Sequence, residues 1–339
     1  MMSVGTVGMW SLFGAFVAVA LLVDFRAMAN QGAHRVSTRE ALHWSLVWVA
    51  VSFVFVGWLW LHLGGMGSDA VAREVANDRA VEFVTGYLVE KALAIDNIFV
   101  FLMLFTYFAV PAESQKRVLM LGILGALVLR AIMILVGAWL ITRFHWVLYL
   151  FGAFLLFTGV KMWWAAGREP DLNENPALRW VRSHVRIAEG YDGEKLFTRV
   201  NGATIATPLL IVIVLVGIVD VVFAVDSIPA IFAITTDPFI VLTSNVFAIL
   251  GLRAMYFLLA NMHEKFHLLS YGLAIVLVAI GAKMLLIDIY AIPVAWSLGF
   301  TVLVLTATMA LSLRIAPRGK TVGAYPFAPV RDEVERTPS

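Results

Sequence analysis

Hydrophobic and polar positions along this chain do not alternate on the short periods of a soluble fold. They fall into long apolar runs separated by short charged connections. A run of about 20 mostly apolar residues forms a helix that crosses the hydrocarbon of a bilayer. Nine such spans are expected, at approximately 9–28, 42–63, 82–108, 118–141, 146–165, 208–234, 240–260, 267–287 and 293–313. The pattern therefore predicts an all-α membrane protein. A transmembrane domain over 1–315 is expected, followed by a Pro-rich, charged tail over 316–339 with the composition of a disordered segment.

Composition agrees. Hydrophobic residues make up 61% of the 339 and charged residues 14%, with mean hydropathy +0.88; a soluble domain has roughly 45–50% apolar residues. Cysteine is absent, which excludes disulfides, zinc–thiolate sites and iron–sulfur clusters. The first apolar run has no basic segment before it and is long enough to span, so a membrane helix is expected there rather than a signal peptide. No Walker A loop, dinucleotide fingerprint or nucleic-acid motif is present, and no nucleophile–base pair marks an enzyme.

The net charge of +2 says little, but the placement of the charges says more. Of the 25 Lys and Arg residues, 17 fall in one alternating set of connections, among them Arg26, Lys116, Arg179 and Arg314. Only Arg73, Arg79 and Arg143 fall in the opposite set. Basic connections stay cytoplasmic. The N-terminus is thus expected outside and the C-terminus in the cytoplasm, in the plasma membrane.

The long connection over 166–207 has two readable parts. In 175–187, Leu178, Val181 and Val185 share one helical face and Arg179, Arg182 and Arg186 another, as in an interfacial amphipathic helix. Asn201-Gly202 then sits between short β-prone runs, a hairpin signal. A plain connector is the alternative for both.

One stretch stands out from the apolar background. Glu90-Lys91-Ala92-Leu93-Ala94-Ile95-Asp96-Asn97-Ile98 is echoed 130 positions later by Asp220-Val221-Val222-Phe223-Ala224-Val225-Asp226-Ser227-Ile228. The following spans carry Arg130-Ala131 and Arg253-Ala254. The next pair repeats His145, Tyr149, Gly159, Lys161 and Met162 as His267, Tyr271, Gly281, Lys283 and Met284, all offset by 122. Spans three to five thus match spans six to eight, in units of about 82–165 and 208–287. An odd number of spans per unit makes the second unit inverted, the architecture of secondary transporters with a midplane site.

Four carboxylates at membrane depth are costly, at about 3 kcal/mol or more each. Glu90, Asp96, Asp220 and Asp226, with the Asn97 amide and the Ser227 hydroxyl, form an all-oxygen set. Such a set suits Mg²⁺, Ca²⁺ or Mn²⁺ over copper or zinc. Pro229 has no N–H for the Val225 carbonyl, which frees that oxygen for a cation or for a neighbouring side chain. Arg130 and Arg253 are the expected charge partners. With all six groups ionised the core carries −2, which one divalent ion neutralises. A purely structural ion-pair network is the competing reading. Asp24 is a candidate intake group or an ordinary interfacial acid. Lys161 and Lys283 lie near span ends, where snorkelling is expected. Lys91 has no evident partner, and Glu82 and Asp288 read as boundary residues.

These motifs resemble those of the TerC family. The resemblance also includes Ala206-Thr207-Pro208-Leu209-Leu210, Tyr191-Asp192-Gly193 and the run Thr243–Ala254, and extends over about residues 9–313. It implies an integral membrane protein that exports manganese from the cytoplasm, with the acids at Glu90, Asp96, Asp220 and Asp226. The family name is also attached to tellurite resistance and membrane stress. The resemblance, not the ligand set, selects Mn²⁺, with Ca²⁺ as the other ion; no organic cofactor is expected. The rival reading is a membrane assembly or stress-response factor that recruits protein partners through 166–207. Partners under either reading are the lipid bilayer and, for a transporter, the metal ion; a homo-oligomer is allowed.

Overall fold

The structure, a computed structural model, describes residues 3–30, 38–166, 188, 190–193, 195–200, 203–260, 268–290 and 292–315. The amphipathic segment expected at 175–187 and the tail expected over 316–339 lie outside the described residues.

Eight of the nine expected runs fall on single helices, and the seventh falls on a pair. They are α1 (Val7–Asn30), α2 (Thr38–His62), α3 (Ala70–Tyr107), α4 (Ala112–Arg143), α5 (Val147–Ala165), α6 (Pro208–Phe232), the pair α7 (Pro238–Leu250) and α8 (Leu252–Ala260), α9 (Leu269–Leu285) and α10 (Val294–Arg314). Between α5 and α6 a hairpin of β1 (Phe197–Val200) and β2 (Ala203–Ala206) pairs Phe197 with Ala206 and Val200 with Ala203. The hairpin expected around Asn201-Gly202 is therefore present, a small addition to an otherwise all-α chain.

Five described helices, α2, α4, α5, α6 and α10, are long and apolar enough to cross a membrane. They become six if α7 and α8, bent by 43° at Gly251, count as one broken span. The apolar stretches Val7–Val23 and Leu269–Leu285 are shorter. Helix α3 has the length, at 38 residues, but carries Glu90, Lys91 and Asp96 in its apolar half.

Local chemistry sets the helix starts. Asp69 caps α3 by accepting from the Val71 amide at 3.0 Å, and Asp237 caps α7 from the Phe239 amide at 2.9 Å. Pro208 and Pro238 occupy first-turn positions, where the missing N–H costs nothing. Asp237 also accepts from Ser3 Oγ at 2.9 Å and from the Val4 amide at 2.8 Å, which ties the N-terminal segment to α7.

Helix α7 is the innermost element; Phe239 through Leu250 are all buried. Phe247 stacks on Phe16 of α1 at 5.1 Å and meets Phe55 of α2 at 4.7 Å, so aromatic contacts bind α1 and α2 to the centre. By contrast α10 exposes Trp296, Leu303 and Leu313, a surface suited to lipid.

Helices α5 and α9 approach each other at glycine. A Cβ on Gly281 would stand 2.8 Å from the Gly152 carbonyl, and one on Gly159 would stand 3.0 Å from the Ala274 carbonyl. Ascending numbers on α5 meet descending numbers on α9, so the pair is antiparallel. Close approach of this kind is how helices associate where no water drives them together.

Candidate functional site

Arg130 decides the geometry of the centre. Its side chain is 1% exposed, and it lies between α3 and α6. Nε and Nη2 donate to Asp220 Oδ2 and Oδ1 at 3.2 and 3.0 Å, a bidentate fork. Nη1 donates to Glu90 Oε1 and, at 3.2 Å, to Ser227 Oγ. Four of the expected residues are thus brought together. The echo between Glu90 and Asp220 is physical: equivalent positions of the two motifs hold one guanidinium.

The cluster is sealed, with Glu90 at 0%, Asp220 at 3% and Ser227 at 2% exposure, and Asn97, two turns along α3 from Glu90, is buried as well. It is also incompletely satisfied. Glu90 Oε2 and Asn97 Oδ1 are buried and make no hydrogen bond within the protein. A buried acceptor without a partner costs about 1–3 kcal/mol, more if charged. The free Glu90 oxygen, beside the guanidinium, is a hard oxygen donor of the kind a dehydrated cation takes.

Helix directions follow from the contacts. Glu90 lies 17 residues before Tyr107 at the end of α3, and Arg130 lies 18 after Ala112 at the start of α4. They meet only if α3 and α4 run antiparallel. On α4 and α6, Gly122 approaches Val216, Arg130 holds Asp220 and Gly137 approaches Phe232, so these two run parallel. Helices α3 and α6 are therefore antiparallel. Asp96 is six residues beyond Glu90, and Asp226 six beyond Asp220, each about 9 Å along its helix. The two motifs therefore run past Arg130 in opposite directions.

This separation bears on the expected ligand set. Among the described residues, no three carboxylate or imidazole groups converge on one point. Asp226 is half-buried; it accepts from Thr158 Oγ1 of α5 at 3.2 Å and lies within electrostatic reach of Lys161. The Asp96 side chain and that of Asp24 in α1 lie outside the described residues. Pro229 stands inside α6, so the Val225 carbonyl lacks its usual donor. Arg253 is partly buried on α8 and within electrostatic reach of Lys116.

Three features were not visible in the residue pattern. Lys91 donates to the Ala248 carbonyl at 3.0 Å, at the end of α7 where the helix breaks. Asn245 is fully buried, and both its amide atoms lack partners; the polar run Thr243-Ser244-Asn245 inside an apolar helix was the available signal. On α3, Arg79 donates to Glu82 at 2.7 Å and lies 3.5 Å from Thr235 Oγ1, so Glu82 is part of a charged cluster rather than a bare boundary residue.

Outside the helices, the connection is pinned to the α3–α4 turn. The Tyr191 hydroxyl donates to the Phe108 carbonyl at 2.7 Å, and burial pushes its pKa up to about 12. Hydrogen bonds from Lys195 and Thr198 hold the Asp192 carboxyl below the usual aspartate range.

Residues 75–320 match the family described as "Integral membrane protein TerC family". The chain belongs to this family. It is 55% identical over 308 residues to an Escherichia coli (strain K12) protein provisionally named membrane-bound redox modulator Alx, covering 90% of this chain and 95% of that protein. A Salmonella typhi protein of the same name is 53% identical over 312 residues, covering 92% and 96%. An uncharacterized membrane protein of Myxococcus xanthus is 45% identical over 311 residues, covering 92% and 93%. No solved structure matches the chain. As a TerC family member the chain is an integral, multi-pass membrane protein.

Proposed function

We propose that this protein is a secondary transporter, not an enzyme, that exports a divalent cation from the cytoplasm, Mn²⁺ ahead of Ca²⁺. The observation that carries the reading is the sealed Glu90–Arg130–Asp220 centre. It has a carboxylate oxygen left unpaired, and each motif carries a second acid six residues further along its helix. A structural ion pair needs neither the unpaired oxygen nor the second acids.

The architecture supports it. With nine spans and the N-terminus outside, α3 runs inward and α6 outward. Asp96 then lies on the cytoplasmic side of Arg130 and Asp226 on the outer side, a loading acid and a releasing acid. Under the repeat, Gly152 corresponds to Ala274 and Gly159 to Gly281. The Gly152–Gly281 contact maps onto the Ala274–Gly159 contact, as an inverted repeat requires. Ligands would be taken in turn from Asp96, Asn97, Glu90, Asp220, Ser227, the Val225 carbonyl and Asp226. Oxygen ligands suit Mn²⁺. The plasma membrane is the expected location.

The test is cellular manganese after a manganese load, in cells making the native protein, Asp96→Asn or Asp226→Asn at equal membrane abundance. Lower manganese only with the native protein is expected. Equal efflux by both variants would remove the site.

A second reading follows from the relatives' provisional name, membrane-bound redox modulator. Under it the protein acts on membrane stress through partners bound at 166–207. Loss of function on changing Arg179, Arg182 and Arg186, with the acid variants active, would favour that reading.

A further inference from the structure

We propose that Arg130 is a built-in counter-cation that the transported ion must displace from Glu90 and Asp220. This inference rests on the export reading and specifies how its centre works.

Two carboxylates sealed from water, Glu90 and Asp220, stay ionised only with positive charge beside them. Arg130 supplies it, through the fork to Asp220 and the contact to Glu90. A guanidinium is not deprotonated in proteins, so it cannot leave the pair by losing a proton. It can leave only by moving, and the carboxylates it uncovers then take up either protons or another cation. A divalent cation is such a replacement. Glu90 Oε2 already lacks a partner, so an arriving ion finds an oxygen ligand before any contact to Arg130 is broken.

Ser227 gives the arm a further hold. Its hydroxyl accepts from Nη1 at 3.2 Å, on the same nitrogen that meets Glu90. When the ion takes the carboxylates, the arginine shifts; when the ion leaves, the arginine returns and expels any straggler. The centre is therefore never an unfilled anionic trap, and release does not depend on a weak ligand set. A merely structural salt bridge would have its acceptors consumed by the arginine. Here acceptor capacity remains beside it.

The experiment uses the full-length protein, purified and reconstituted. Equilibrium binding of radioactive Mn²⁺ and Mn²⁺ flux into liposomes are measured for the native protein, Arg130→Gln, Arg130→Lys and Asp226→Asn. Arg130→Gln is expected to bind Mn²⁺ about tenfold more tightly and to lose flux, a coupling at the low end of that between competing ligands. Arg130→Lys, which keeps the charge but not the fork, is expected to fall between. Free guanidinium should weaken Mn²⁺ binding to Arg130→Gln and leave the native protein unaffected. If Arg130→Gln does not fold, the same comparison is read from Arg130→Lys. A folded variant that binds Mn²⁺ no more tightly than the native protein overturns the inference alone. Native protein with neither Mn²⁺ flux nor Mn²⁺ binding sensitive to Asp226→Asn overturns the export reading and the inference with it.

Discussion

Asp220 meets Arg130 through both carboxylate oxygens, whereas Glu90 uses one and leaves the other free. The two acids are therefore unequal in what they contribute to the fold. Removing one partner of a buried pair costs about 3–5 kcal/mol. Asp220→Asn is expected to cost that much in unfolding free energy, and Ser227→Ala, a side contact, about 1 kcal/mol. Thermal unfolding in detergent, followed by loss of the monodisperse form, measures the difference. Asp192 offers a pH-dependent counterpart outside the membrane. Its pKa is held down by Lys195 and Thr198, so its contribution is present above the ordinary aspartate pKa and lost as pH falls through the depressed value. Amide exchange of the β1–β2 segment should quicken over that acid window in the native protein and show no such step in Asp192→Asn. The acids and Arg130 were legible in the sequence because charge at membrane depth is conspicuous. Thr158, the partner of Asp226, was not, since a hydroxyl in an apolar helix bonds its own backbone as readily as a distant side chain.

At the level of elements, helix positions could be read from apolar runs, but helix continuity could not. The run over 240–260 reads as one span, yet the chain breaks at Gly251 and bends by 43°. Lys91 sits at this break, donating to Ala248 while a Cβ on Gly251 would stand 2.5 Å from its Nζ. A long-range contact of this kind has no local sequence mark. The glycines are similarly uneven. Gly281 has backbone within 2.8 Å of where a Cβ would stand, whereas Gly125 has nothing within 4 Å. Gly281→Val is expected to lower membrane abundance and melting temperature, because neither neighbouring backbone can yield cheaply. Gly125→Ala is expected to be neutral or to stabilise by up to about 1 kcal/mol through helix propensity. A paired measurement of melting temperature separates the two.

For the whole molecule, the distribution of Lys and Arg predicts which loops share a side. The chain has no cysteine, so single-cysteine labelling needs no background removal. Ser68→Cys should react with an impermeant thiol reagent from outside intact cells, and Gly193→Cys only after the membrane is opened. The opposite pattern would invert the topology and exchange the roles of Asp96 and Asp226. That the two motifs meet could be anticipated from the echo, but not that Arg130 holds both, since Arg130 and Arg253 were equally placed as charge partners. That their helices run in opposite directions needed contacts between residues about 90 positions apart.

The reciprocal glycine contacts of α5 and α9 have one more consequence. Under the repeat, each half carries the surface that recognises the other, much as in a symmetric dimer whose subunits have been joined end to end. The join, 166–207, then serves mainly to keep the partners at high local concentration. Two separately made pieces, cut between 187 and 190, should find each other in one membrane and restore flux. Their recovery should fall with expression level, and the intact chain's should not.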